Sequence, residues 1–245
     1  MNLRDEGIII STKKYGENSL IIKVFSRNCG VFRGFVKFAK SNKVSANYQI
    51  GNLISFEYRS RIEENLGSFA AVNLINSFCS RIIFDRFRLN CAKALFSMID
   101  ELFLERENHQ IFFEQLLSFL KKIILDNATR AEIVANYVRL ELAMLSELGY
   151  GIDLSSCVVT ESTENLAYVS PKSARAVSSF AGKIHENKLL KLPAFLVNDD
   201  EQVSDKCLVD GLKLSGFFIQ KFLATEQKKF IEREEIANLI KLKTA

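Results

Sequence analysis

The hydrophobic period of this chain changes once, near residue 80, and that change dictates its architecture. Before it, "GIIISTKK" (7–14), "SLIIKVFS" (19–26), "GVFRGFVKF" (30–38), "NLISFEYR" (52–59) and "GSFAAVNL" (67–74) are short runs rich in β-branched and aromatic residues. Such runs fit the pleated, half-buried surface of a sheet, and the polar turns between them mark strand ends. In the fourth run Ile54, Phe56 and Tyr58 alternate with Ser55, Glu57 and Arg59, which puts one set in a core and the other in solvent. Five strands at this spacing predict a small barrel or sandwich over residues 1–80.

After residue 80 the apolar residues recur at helical spacing. Residues 81–105 and 109–125 follow this period, and 129–148 does so through Ile133, Tyr137, Leu140, Met144 and Leu148. Thr129 and Glu132 have the spacing of a capping box, and Gly149 suits the left-handed position that ends a helix. Residues 150–169 read as irregular. Ser170 and Pro171 then predict the start of another helix, followed by helices over 211–223 and in the tail. The fold class expected is α+β with two domains, a five-stranded barrel over 1–80 and an α-helical domain over 81–245.

Charge divides along the same line. Residues 1–80 hold eleven Lys or Arg against six Asp or Glu, while residues 81–245 hold twenty-two against twenty-three, so the net charge of +4 arises from the first part. Between residues 13 and 43, Lys13, Lys14, Lys23, Arg27, Arg33, Lys37, Lys40 and Lys43 are opposed only by Glu17. A local excess of this kind points to a polyanionic partner. In "GVFRGFVKF" the alternation assigns Phe32, Val36 and Phe38 to the core and Val31, Arg33, Phe35 and Lys37 to the opposite face. Cations beside an aromatic ring suit single-stranded nucleic acid, whose phosphates need positive charge and whose bases stack. The same face could instead pack Phe35 under the helices and use its cations only to keep the barrel in solution.

Enzymatic chemistry finds little support. The two histidines, His109 and His185, lie in no nucleophile elbow, H-E-x-x-H or phosphate-cradling glycine loop. The five cysteines, Cys29, Cys79, Cys91, Cys157 and Cys207, are scattered and form no C-x-x-C pair. They read as small apolar side chains of a reducing compartment. No run approaches the roughly eighteen apolar residues of a membrane span, and the start lacks the apolar core of a secretory signal, so a cytoplasmic location is expected.

The order of parts, with "EGIIISTKKYGENSLIIKVFSRNCGVFRGFVKFAK", "LELAMLSELGYGIDLSSC" and "ENLAYVSPKSARAVS", resembles the RecO family of DNA repair proteins over nearly the whole chain. The resemblance implies an N-terminal OB-fold, a helical domain, and a non-enzymatic recombination mediator in the bacterial cytoplasm, associated with the nucleoid. Such a protein binds single- and double-stranded DNA, anneals complementary strands and acts with RecR to load RecA onto DNA covered by single-strand binding protein (SSB). It implies DNA contacts on the barrel, for which Lys13, Lys14, Arg27, Arg33, Phe35, Lys37, Lys40 and Lys43 are the candidates. It also implies docking of the acidic SSB tail on basic helix residues, here Lys121, Lys122, Arg130 and Arg139, of which Arg139 is preferred because it falls in the matching segment "RLELAMLSELGYG". From the residues alone, an RNA-binding OB protein of translation or RNA processing remains the alternative.

One departure concerns metal. Many relatives carry two C-x-x-C pairs after the "GYG" turn, the thiolate set of a structural zinc. This chain keeps Cys157, has Thr160 three residues on, and has no cysteine in "VSPKSARAVSS". No cofactor or bound metal is expected, and residues 150–170 read as a degenerate zinc-finger-like segment held by packing and backbone hydrogen bonds.

Overall fold

A computed structural model of the chain describes residues 2–37, 45–60, 66–198, 203–223 and 230–241. They fall into two compact units, Met1–Leu125 and Asp126–Ala245. The expected order, a five-stranded barrel followed by a helical region, is the one found.

The first unit opens with β1 (Asn2–Tyr15), β2 (Ser19–Ser26), β3 (Gly30–Lys37), β4 (Asn52–Arg59) and β5 (Gly67–Ser77). They close into a barrel in the order β1-β2-β3-β5-β4. Closure depends on β1, which pairs with β4 from Asn2 to Ile8 and with β2 from Gly7 to Tyr15, with a register irregularity between Ile9 and Ser11. An irregularity of this kind bends a strand and increases its twist, so one long strand can serve two neighbours. The interior holds Ile9, Ile22, Val24, Phe32, Val36, Ile54, Phe56, Tyr58 and Phe69. The alternation expected for β4 is found, with Ile54, Phe56 and Tyr58 buried and Arg59 exposed. Phe38, expected in the core, lies outside the described residues.

The other seam, between β3 and β5, is parallel and short, pairing only Gly34 with Gly67 and Phe35 with Ser68. Tyr58 reinforces it from inside, because its hydroxyl donates to the Arg33 carbonyl at 3.0 Å and accepts the Gly67 N–H at 2.9 Å. Tyr58→Phe would leave both backbone groups without that partner, and a buried group so orphaned costs about 1–3 kcal/mol. A drop of that size in chemical denaturation is expected, with the barrel's strand signal retained under native conditions.

Helices α1 (Phe78–Arg81), α2 (Arg86–Leu102) and α3 (Gln110–Ile123) belong to the same compact unit as the barrel. The joint is aromatic: the Phe25 ring lies 5.7 Å from Phe103 and 5.5 Å from Phe113. The connection between α2 and α3 crosses the start of β3, where the Arg106 N–H bonds to the Val31 carbonyl at 3.0 Å. Gly30, at φ +77°, permits this approach, since a Cβ there would overlap the Glu107 backbone. Val31 has the outward parity of Arg33, and this cover is why it is buried all the same.

The second unit begins with α4 (Arg130–Glu147), which has the expected capping box between Thr129 and Glu132. Gly149 follows it at φ +84°, as expected for a helix end. Next comes a small antiparallel sheet of β6 (Leu166–Val169), β7 (Ala176–Ser178) and β8 (Leu190–Lys191), in the order β7-β6-β8. Between β7 and β8 lie α5 (Ser179–Gly182) and a 3-10 segment over Lys183–Lys188; α6 (Asp205–Phe222) and α7 (Ile231–Lys241) complete the unit.

The sheet corrects the expected helix at Ser170. Residues 170–175 instead form the turn between β6 and β7: the Ser170 hydroxyl accepts the Ser173 N–H, and Ala174 sits at φ +56°. A proline fixes φ near −65°, which serves the second position of a turn as well as the first turn of a helix. The flanking segments decided between them, because "LAYV" and "AVS" pair across the turn as strands.

In the helical layer of this unit, α6 packs on α4 and α7 packs on α6. At their meeting the Glu141 side chain, 0 % exposed, accepts the Arg233 guanidinium at 2.7 and 3.1 Å and the Ser215 hydroxyl at 2.5 Å. Arg233 also donates to the Leu212 carbonyl at 2.7 Å. Gly216 leaves the space for that guanidinium, which a Cβ would meet at 2.6 Å.

Candidate nucleic-acid interface

Strand register sets out the outer face of the barrel. Antiparallel partners point to the same side of a sheet, so the pairing Lys13–Ile21–Phe35–Ser68 forms one outward row across β1, β2, β3 and β5. The next row toward the hairpin tip is Tyr15–Ser19–Lys37, and the row on the other side is Ser11–Lys23–Arg33. Lys14 pairs with Leu20, has the inward parity, and is exposed at the barrel's rim.

The cations of this face differ in what holds them. Lys23 is bound to Asp100 at 2.5 Å and Arg33 to Glu105 at 3.4 Å, both acids coming from the end of α2 and the segment after it. Arg27 is held by Glu6 at 3.1 Å and Glu114 at 2.5 Å, and its guanidinium lies over the Phe113 ring. Further round the barrel, Arg4 and Arg59 both pair with Glu57, whose carboxyl is held below its ordinary range by hydrogen bonds from Arg59 and then Arg4. Among the described residues, Lys13, Lys14 and Lys37 have no ion-pair partner and are exposed.

These three lysines surround an aromatic pair. The Tyr15 and Phe35 rings are 5.0 Å apart and tilted by 60°, with Tyr15 55 % exposed and Phe35 half-buried. The result is a stacking surface bordered by unpaired positive charge, which matches the two requirements of a single strand. Of the sequence-derived candidates, the structure gathers Lys13, Lys14, Phe35 and Lys37, separates Arg27 and Arg33 into ion pairs, and leaves Lys40 and Lys43 outside the described residues. Tyr15 joins the group although the charge pattern did not nominate it. Its signal was present in the outward parity it shares with Lys13.

The second candidate set is divided between the two units. Lys121 and Lys122 end α3, with Lys121 exposed and Lys122 half-buried. Arg130 opens α4, and Arg139 lies in its middle. The Arg139 guanidinium donates to the Phe195 carbonyl at 2.6 Å and lies 5.6 Å from the centre of its ring. Arg139 therefore joins α4 to the 194–196 turn, a role that packing alone explains.

The metal expectation can be tested against the donors present. Cys157 is buried, its sulfur accepts the Ser178 N–H at 3.2 Å, and Thr160 also hydrogen-bonds to it. Ser178 has Ala181 three residues on and accepts its N–H at 3.4 Å, so two turns of equal spacing meet at this sulfur. Their four positions offer one thiol, two hydroxyls and a methyl group, which does not fit structural zinc. Among the described residues no group of three or more His, Cys, Asp and Glu is placed to hold a metal ion.

Burial acts to raise the Cys157 thiol, but the hydrogen bonds from Thr160 and Ser178 outweigh it and bring the thiol down to about 6. The folded state then binds fewer protons at this site than the unfolded state, whose thiol titrates near 9.0. The stabilisation is complete above the unfolded value and is lost as pH falls through the folded one. Thermal midpoints measured from about pH 5 to 9 should rise with pH more steeply in the native chain than in Cys157→Ala. Parallel profiles would remove the thiolate from this account.

Comparison with known proteins finds two family models that match the chain one after the other. Residues 1–78 match the family model "Recombination protein O N terminal", and residues 83–228 match "Recombination protein O C terminal". The chain is 38 % identical to the DNA repair protein RecO of Rickettsia typhi over 240 residues, covering 98 % of this chain and 99 % of that one. It is 40 % identical to the RecO of Rickettsia felis over 223 residues, 91 % of each chain, and 38 % identical to that of Rickettsia africae over 235 residues, 96 % of each. No helix of the described residues is long and apolar enough to cross a membrane. With both of its parts matched in order and its relatives aligned nearly end to end, the chain belongs to the recombination protein O (RecO) family of bacterial DNA repair proteins.

Proposed function

We propose that this protein is a recombination mediator that acts by binding rather than by catalysis. Its barrel holds single-stranded DNA on the outer face of β1–β3 and the adjoining rim, with Lys13 and Lys37 of the face and Lys14 of the rim on phosphates and Tyr15 and Phe35 against bases. The observation that carries this reading is the unpaired lysine border around the aromatic pair of exposed Tyr15 and half-buried Phe35, on a barrel of the kind that binds single strands. Duplex DNA engages the same lysines through its backbone, without the stacking. Neutralising phosphates on two complementary strands lets them approach, so strand annealing follows from the same surface.

In the cell the protein works with RecR to help load RecA onto DNA covered by SSB. Lys121, Lys122 and Arg130 are the candidates for the acidic SSB tail, and the ties of Arg139 to Phe195 make it the weakest of the four. The test is the annealing rate of two complementary oligonucleotides, bare and SSB-coated. Acceleration in both cases, with the coated case requiring the SSB tail, is the expected result. Failure to accelerate either reaction would sink the mediator reading, and structured RNA outcompeting single-stranded DNA would favour a role in RNA processing.

A further inference from the structure

The turn that leads from α1 into α2 carries apolar side chains into solvent. Phe84 is fully exposed and Ile83 is 58 % exposed, whereas their neighbour Ile82 is buried and anchors the turn. The Ile82 N–H bonds to the Cys79 carbonyl at 3.3 Å and the Asp85 N–H to the Ile82 carbonyl at 2.9 Å, so the exposed pair stands on an ordered support. Leu74 and Ile75, near the end of β5, and Ile50, just before β4, are exposed as well. The pairings Asn52–Ser77 and Leu53–Asn76, with the Phe78 N–H bonded to the Gly51 carbonyl, bring all three segments to the same end of the barrel. Exposed apolar groups gathered in this way mark interaction sites.

The border of this group is cationic. Arg81 is exposed on α1, and Lys93 is exposed on α2 near Cys79, whose thiol is pushed up by burial and only partly drawn back by that lysine. Asp85, the acid of the turn, is already engaged, capping the Arg88 N–H at 3.0 Å and pairing with the Arg88 guanidinium at 3.1 Å.

We infer that this end of the first unit is a docking surface for a protein partner whose contact face is apolar at its centre and rich in carboxylates at its edge. Nucleic acid would satisfy Arg81 and Lys93, but four of the five apolar groups are aliphatic and offer no face for stacking. A second copy of this chain joined through the same face would set these cations against their own equivalents. An acidic, apolar protein face satisfies both the charge and the shape, with Phe84 as an anchor of the kind that dominates interface energetics. This surface is separate from the lysines assigned to DNA, so the inference stands independently of that assignment.

The experiment titrates the full chain with a fluorescent synthetic amphipathic helix that carries leucines on one face and glutamates on the other. Saturable binding is expected, weakened about 10-fold or more by Phe84→Asp and by Arg81→Glu, and unchanged by Lys37→Glu. Phe84 is solvent-exposed, so Phe84→Asp should keep the native unfolding midpoint and report on docking alone. No saturable binding, or equal affinity in Phe84→Asp, would overturn the inference. So would preferential binding, dependent on Phe84, of a lysine-for-glutamate peptide, of anionic lipid vesicles or of an oligothymidine.

Discussion

Arg233→Ala should destabilise the second unit by about 3–5 kcal/mol, because it strands a carboxylate that has no access to water. Glu141 is fully buried, and the ligands around it are the Arg233 guanidinium and the Ser215 hydroxyl. Burial also works against the charge on Arg233; the charge and hydrogen bonds of Glu141 outweigh it and hold the guanidinium above its ordinary range. The pair is thus strongly coupled, and the cost of breaking it is not a measure of its net worth. Replacing both partners, as Glu141→Met with Arg233→Met, should recover most of the loss, since apolar groups of similar volume need no compensation in the interior. Denaturation of the native chain, both single variants and the double variant gives the comparison. A loss below about 1 kcal/mol for Arg233→Ala would mean that α7 is not held by this contact.

Reversing Lys13, Lys14 and Lys37 to glutamate together should weaken single-stranded DNA binding about 100-fold near 0.1 M salt. Each phosphate neutralised on a single strand contributes about 0.7 to the log-log salt slope, so losing three contacts makes the slope shallower by about 2. Over one decade of salt that is about two orders of magnitude in affinity. The same reversal at Lys23, Arg27 and Arg33 should change the slope much less, because those cations already face Asp100, Glu6, Glu114 and Glu105. Equilibrium titrations at several salt concentrations separate the two outcomes. Equal effects from the two triplets would place the strand across the whole basic region rather than at the hairpin end of it.

Most of the first unit was legible because a strand on a half-buried sheet writes its environment into every second residue. Ile54, Phe56 and Tyr58 declare the barrel interior by alternation alone. Alternation does not report what lies above the outer face. Val31 and Arg33 share a parity, yet one is covered by the segment after α2 and the other stands beside an acid of that segment. The strands of the second unit were missed for a different reason. With only two to four residues each, β6, β7 and β8 are too short to establish a period, and Pro171 serves a turn as readily as a helix start.

The sequence alone determined the order of the two architectures, the parity of the barrel strands, the ends of α4 and the confinement of excess positive charge to the first eighty residues. These are local properties, set by spacing and composition along the chain. Which of those charges remain unpaired was a tertiary matter, because Asp100, Glu105 and Glu114 reach the barrel only when α2 and α3 fold back on it. The same holds for Glu141 and Arg233, ninety-two positions apart and ordinary in sequence. Ion pairing depends on distance in space, and packing decides which separations along a chain become short.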